Sequence, residues 1–181
     1  SVPFGLVVAK VMRLPDPRTI GSKNIGATNV LRTGSKAAAF ATVLLDGAKG
    51  LVAVLIARAI SGEDTAQIAA LMAFLGHCFS LFLGFKGGKG VATFLGALYG
   101  LSFALGAAAC LIWLLTVLVA RYSSLSALVA SAATPIVALA LGQSDRFVVL
   151  LAMAAILIWR HRENIARLQA GTESKVGSSR S

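Results

Sequence analysis

Carboxylates are scarce in this sequence. Asp and Glu together number seven in 181 residues. They form no cluster that could hold magnesium. LLDGAKG at 44–50 has the beginning of a CDP-alcohol phosphotransferase motif, but no further acid follows before Glu63, so that metal-dependent chemistry is excluded. Histidine is as rare: His77 and His161 are the two in the chain. The soluble-loop acyltransferase pattern HxxxxD fails at both, where Phe82 and Ala166 occupy the fifth position, and no Ser–His–Asp set is evident. Cys78 and Cys110 show no CxxC and no ligand spacing, which excludes a disulfide framework and a zinc site and leaves small apolar packing residues. Neither a metal nor a cofactor is expected.

Charge of any kind is thin, at 13% of residues, while 57% are hydrophobic and the mean hydropathy is +0.82. Soluble domains carry about a quarter charged and about half apolar residues. The expectation is an all-α, polytopic integral membrane helix bundle, with residues 1–181 as one membrane-embedded domain. The net charge of +10 would suggest nucleic acid on a soluble surface. Here the cations fall between apolar blocks, where lipid headgroups and the positive-inside rule explain many of them, so no nucleic-acid partner is expected.

The apolar blocks run over 37–60, 66–83, 91–119, 127–142 and 147–159. The sequence opens at Ser1, and the nine residues before Lys10 are too few to span a bilayer, which needs about 20. The first helix is therefore expected to be cut short; no cleavable signal peptide is visible. The 10–36 stretch carries Lys10, Arg13, Arg18, Lys23, Arg32 and Lys36 against Asp16 alone and should face the cytoplasm. Alternation then puts SGEDT (61–65) outside and FKGGKG (85–90) inside. If 91–119 crossed once, RYSSLS (121–126) and the basic tail from Arg160 through Arg180 would lie outside, against the rule. Two short legs with a turn near Gly100 to Gly106, each about 14 residues or roughly 21 Å of helix, return both to the inside. Seven helical passes are predicted, with a thin or re-entrant region at 91–119.

On that topology the polar motifs share the inner face. FKGGKGVAT interleaves Gly87, Gly88 and Gly90 with Lys86 and Lys89. Glycine backbones let N–H groups converge on an anion, the following helix adds partial positive charge, and two lysines add full charges. It is not a Walker loop, since Gly90 follows Lys89. A tight cytoplasmic turn would explain the lysines but not three interleaved glycines. GSKNIGATNVLRTGSK (21–36) gathers Ser22, Asn24, Thr28, Asn29 and Thr33 beside Arg32 and Lys36, with Gly21, Gly26 and Gly34 breaking helix. This reads as a second oxyanion or polyol pocket. RYSSLS is weak alone, because an interfacial Arg121 and Tyr122 explain it equally well. In WRHRENIARLQAGTESK, His161 and Asn164 share a helical face and Glu163 lines up with Arg167. Gly171 suits a C-terminal cap. His77 either lines the lysine-loop pocket or bonds a backbone carbonyl. Asp46 and Lys49, three apart, read as a neutralising structural pair.

Taken in order, GSKNIGATNVLRTG, GHCFSLFLGFKGGKGVAT, RYSSLS and HRENIARLQAGTESKVG closely resemble the bacterial acyl-phosphate:glycerol-3-phosphate acyltransferase family (PlsY-type membrane acyltransferases), over nearly the whole chain. The resemblance implies a multi-pass enzyme of the bacterial inner membrane with its active site on the cytoplasmic side. It implies transfer of a fatty acyl group from acyl phosphate to the sn-1 hydroxyl of glycerol 3-phosphate. The products are lysophosphatidic acid and phosphate, in the first step of bacterial phospholipid synthesis. Neither acyl-CoA, acyl carrier protein nor metal is an immediate requirement, and an enzyme making acyl phosphate stands upstream as a partner.

Carried over by position, Ser22, Arg32, His161 and Asn164 are the implied catalytic residues. Asn24, Asn29, Lys86, Gly87, Gly88, Lys89, Gly90, Ser124 and Glu173 are the implied substrate-binding residues. Lys23 stands where glycine is common and Ser80 where proline is common; neither touches a proposed catalytic group. His161 is either the general base or the residue that orients Asn164 and substrate, and the family's way of working lets the donor phosphate take the proton. The competing class is a membrane transporter of phosphorylated solutes, which should place polar groups at mid-bilayer and on both sides. This chain keeps them at span ends.

Overall fold

A computed structural model describes residues 1–177, and among them the regular structure is helical, with no strand. They form two compact units, Ser1–Ser102 and the chain from Phe103 onward.

In the first unit α1 (Phe4–Val11) and the short α2 (Ala27–Val30) lie against α3 (Lys36–Cys78). Val8, Val30 and Ala38 make their shared core, with Leu14 and Ala41 packed on it. Ser35 caps α3, its side chain accepting from the Ala38 N–H at 3.1 Å. Ala38, Thr42, Asp46, Gly50 and Val54 recur every fourth residue and are buried. The opposite faces expose Phe40, Leu44, Leu55, Ile56 and Ile60, as expected of a helix whose solvent is lipid.

The 43 residues of α3 are two arms folded at Gly62, whose φ of 81° and ψ of −168° belong to glycine alone. SGEDT was expected as a polar connection over 61–65. The structure instead reverses at one residue and keeps Glu63, Asp64 and Thr65 helical, because glycine makes a longer loop unnecessary. Arg58 fastens this end: it pairs with Glu63 and donates to the carbonyls of Gly100 at 2.6 Å and Leu101 at 3.0 Å. Those are the otherwise orphaned last carbonyls of α4 (Val91–Leu101).

α4 runs along the first arm of α3 through a seam of small residues. A Cβ on Gly96 would overlap the Gly47 carbonyl, and one on Gly100 would stand 2.7 Å from the Val54 Cβ. Thr93 Oγ1 donates across the seam to the Asp46 carbonyl at 2.9 Å. From the second arm, Phe74 meets Phe94 edge-on with centroids 6.3 Å apart.

The 91–119 block breaks where the charge count required a turn, at Ser102, whose φ and ψ are extended. The legs are unequal, however: α4 has 11 residues and α5 (Phe103–Ala120) has 18. In the second unit α5 packs on α6 (Ser123–Ala140), and α6 on α7 (Phe147–Arg160) and α8 (Arg162–Gln169). Arg121 turns the chain between α5 and α6 with a φ of 63°. The face of α6 turned inward is Ala127, Ala130, Ser131, Thr134 and Ala138. Pro135 sits inside that helix, where hydroxyls of Ser131 and Thr134 bond local carbonyls. Among the described residues, three helical stretches are long and apolar enough to cross a membrane: Lys36–Leu83, Phe103–Ala120 and Ser123–Ala140.

Candidate active site

The polar motifs build two constellations, one in each unit. In the first, residues 12–35 fold around Asn29. Its side chain is buried and bonded on every side: Nδ2 donates to the carbonyls of Pro17 (2.6 Å), Asn24 (2.8 Å) and Ile20 (3.3 Å). Its Oδ1 accepts from the Ser22 N–H at 3.0 Å and from Arg32 Nη1 at 3.2 Å. One amide thus fixes the backbone of Ser22 and the head of Arg32. Asn24 accepts the Gly26 N–H at 2.9 Å, closing a local turn that leads into α2. Gly21, at φ 52°, lies directly under the Arg32 guanidinium, and a Cβ there would stand 2.7 Å from Nη1. Ser22 and Arg32 are themselves exposed, so a serine held by its backbone and a cation held by its head face outward from this loop.

The lysine loop departs from the sequence expectation in one respect. The N–H of Gly87 donates to the Cys78 carbonyl at 3.2 Å and that of Gly88 to the His77 carbonyl at 3.1 Å. These amides cap the end of α3 and do not converge on an open point. The glycines are needed for closeness: a Cβ at position 87 would overlap the His77 carbonyl, one at 88 the His77 ring, and one at 90 the Phe74 ring. Gly87, Gly88 and Gly90 are buried, Lys86 is exposed and Lys89 partly so. The anion-attracting part therefore falls to the lysines and to the first turn of α4, which Gly90 opens with a φ of 90°.

In the second unit Glu173 is the hub. Its Oε1 accepts from Ser124 Oγ at 2.7 Å and from Asn164 Nδ2 at 2.6 Å, and its Oε2 from Arg167 Nε at 2.6 Å. Arg167, which shares a line of α8 with Glu163 as expected, takes its ion pair with Glu173. Gly171, with a φ of 68°, turns the chain back after α8, and the N–H groups of Thr172 and Glu173 bond the Arg167 carbonyl at 2.8 and 3.2 Å. That reversal returns Glu173 over the helix it has just left. Burial works against the ionised carboxyl, but the bonds from Ser124, Asn164 and Arg167 outweigh it and hold the Glu173 pKa below its ordinary value.

His161 is buried between α7 and α8, and its Nδ1 meets the Leu157 carbonyl at 2.9 Å. A carbonyl only accepts, so Nδ1 carries the proton of this bond. The tail is anchored by two bonds between Arg121 and Val176, N–H to carbonyl at 2.7 Å and guanidinium to carbonyl at 3.3 Å. Lys175 lies 5.6 Å from the centre of the Tyr122 ring. RYSSLS is thus joined to GTESK, a link its weak sequence signal did not reveal. Arg180, counted among the basic tail, lies outside the described residues. Among the described residues no group of three or more His, Cys, Asp or Glu gathers to hold a metal ion.

The glycerol-3-phosphate acyltransferase family model matches residues 1–171. A glycerol-3-phosphate acyltransferase of Jannaschia sp. is 56% identical over 98% of this chain and 87% of its own length. One from Ruegeria sp. is 59% identical over 98% of this chain and 88% of its own. Among solved structures, the chain is similar to PlsY (YgiH), an integral membrane glycerol 3-phosphate acyltransferase. The glycerol 3-phosphate form has a TM-score of 0.91 and 38% identity, covering 97% of this chain and 88% of that one. The lysophosphatidic acid form has a TM-score of 0.90 and 36% identity.

Proposed function

The chain belongs to the glycerol-3-phosphate acyltransferase family of integral membrane enzymes, and we propose that its acyl donor is acyl phosphate. It transfers an acyl group to glycerol 3-phosphate and forms lysophosphatidic acid. The observation that carries this is the family match across residues 1–171. Residues 1–181 act as one acyltransferase domain of seven helical passes in a bacterial inner membrane. The cytoplasmic placement of the active site rests on the basic residues around each motif. An enzyme that makes acyl phosphate supplies the donor.

The sn-1 oxygen attacks the acyl carbon, an ester C–O bond forms, and the bond from the acyl carbon to the phosphate oxygen breaks. The leaving phosphate departs readily from a mixed anhydride and takes the hydroxyl proton itself. The protein's part is to neutralise two phosphates and hold the hydroxyl in line. Lys86 and Lys89 serve glycerol 3-phosphate, and Gly87, Gly88 and Gly90 shape the close-packed loop that presents them. Ser22 and Arg32 serve the head of the acyl phosphate and the developing oxyanion, with Asn24 and Asn29 shaping their loop. Ser124, His161, Asn164 and Glu173 hold the reactants in position. Supporting this reading, Asn29 already fixes Ser22 and Arg32, and Glu173 already joins Ser124 to Asn164.

Purified protein given palmitoyl phosphate and glycerol 3-phosphate should release phosphate only when both are present. Uptake of glycerol 3-phosphate into vesicles without phosphate release would support a transporter and refute acyl transfer.

A further inference from the structure

The reaction outlined above gives no part to two buried ionisable side chains of the first unit and a partly buried third beside them. Asp46 and His77 are 2% and 4% exposed, and the Lys49 side chain 15%. The sequence-level reading made Asp46 and Lys49 a neutralising pair, and they are one, at 2.6 Å. The pair has a third member. Lys49 Nζ also lies 2.8 Å from His77 Nδ1 and donates to the Val2 carbonyl at 2.9 Å.

An ammonium has three hydrogens and no lone pair. Here it meets three acceptors: the Asp46 carboxylate, the Val2 carbonyl and His77 Nδ1. The last must therefore offer its lone pair, and the ring proton sits on Nε2. Asp46 Oδ1 stands farther from Nδ1, at 3.4 Å, and takes its bond from Lys49. The chain thus chooses the tautomer of His77 from a second helical arm, 28 residues upstream.

Nε2 points at the lysine loop. A Cβ placed on Gly88 would overlap it, so the protonated edge of the ring lies against that glycine's backbone. On the same side, the His77 carbonyl receives the Gly88 N–H at 3.1 Å. One residue thus meets Gly88 with both its backbone and its ring, between the two lysines. A structural ion pair alone would not need an imidazole of fixed tautomer turned to this loop.

We propose that His77, held in its Nε2–H form by Lys49 and Asp46, is a positioning residue that sets the Gly87–Gly90 backbone, and with it Lys86 and Lys89, for glycerol 3-phosphate. The proposal rests on the assignment of this loop to glycerol 3-phosphate. It concerns binding of the acceptor, not the chemical step.

The test is steady-state kinetics in which both substrates are varied, with thermal unfolding as a folding control. His77→Phe keeps ring volume and loses the donor; His77→Gln keeps an amide donor near Nε2. His77→Phe should raise KM for glycerol 3-phosphate about tenfold or more, the effect of one lost polar contact. Its kcat and its KM for palmitoyl phosphate should stay within about threefold of the parent. His77→Gln should restore most of the acceptor KM. Lys49→Met, which frees the tautomer, should raise the same KM, and the double variant with His77→Phe should be no worse than His77→Phe alone. Lys86→Ala separates the premise from the proposal. If Lys86→Ala raises the acceptor KM and both His77→Phe and Lys49→Met leave it unchanged, the positioning role is wrong. If Lys86→Ala leaves it unchanged, the loop assignment is wrong and the proposal falls with it. A fall in kcat alone would also overturn it.

Discussion

Glu173 binds three partners through two oxygens, and its charge is what they share. Because its folded pKa is depressed, the carboxylate contributes stability that is fully present above the ordinary value of 4.5 and disappears as pH falls through the depressed one. Glu173→Gln should therefore melt lower than the parent at pH 7, and the gap should shrink as the pH drops below 4.5. Thermal unfolding across pH 7 to about 3.5 measures it; a gap independent of pH would deny the charge its role. His161 is a different case. If the leaving phosphate accepts the proton, His161→Ala should lower kcat/KM by about tenfold or more through lost positioning. The pH–rate profile between about 5 and 8 should keep its shape; loss of a limb would instead make His161 the base. Asn164 could be named from its helical spacing to His161, whereas Ser124 and Glu173 came only with the resemblance to the family's motifs, because RYSSLS is weak alone. The direction of the Gly87 and Gly88 amides was not legible. Their acceptors are the carbonyls of a helix end at Cys78, and nothing local to FKGGKG says where that helix stops. The partner of Arg167 was not legible either: Glu163 shares its line along α8, and only the reversal at Gly171 brings Glu173 to it.

Between elements of the first unit, glycine does two separate jobs, and substitutions should tell them apart. At Gly96 the backbone of α4 touches that of α3 beside Gly47, so a side chain has nowhere to go. Gly96→Leu should separate the helices and abolish recovery of folded protein in detergent. At Gly62 nothing lies within 4 Å of an added Cβ, yet the φ of 81° excludes one. Gly62→Ala should cost on the order of 1–3 kcal/mol and lower the melting temperature. KM should not change, because even the shorter arm, 63–78, separates this turn from the lysine loop by about 24 Å of helix. A changed KM with unchanged melting would contradict that division. The apolar blocks were readable because lipid-facing helices need no alternation. The one-residue turn was not, since SGEDT is polar enough to pass for a loop. The helix pairing needed the structure, because GxxxG spacing names a face without naming its partner.

At the scale of the molecule, one excess of positive charge does two things. It is suited to attract phosphorylated reactants, and by the positive-inside rule it favours one orientation of the helices. The second effect predicted a break inside the longest apolar block, and Ser102 provides it. Hydropathy alone would not have, because residues 91–119 are apolar throughout. The break becomes a test of topology. With Cys78 and Cys110 replaced, a single cysteine at Ser123 sits just past the end of α5. If α4 and α5 each cross the bilayer, a membrane-impermeant maleimide should label Ser123→Cys in inverted vesicles and spare it in right-side-out ones. Asp64→Cys, two residues past the turn at Gly62, should show the opposite pattern. Labelling of Ser123→Cys from the outer face would mean that 91–120 crosses once, and would overturn the proposed inward placement of RYSSLS.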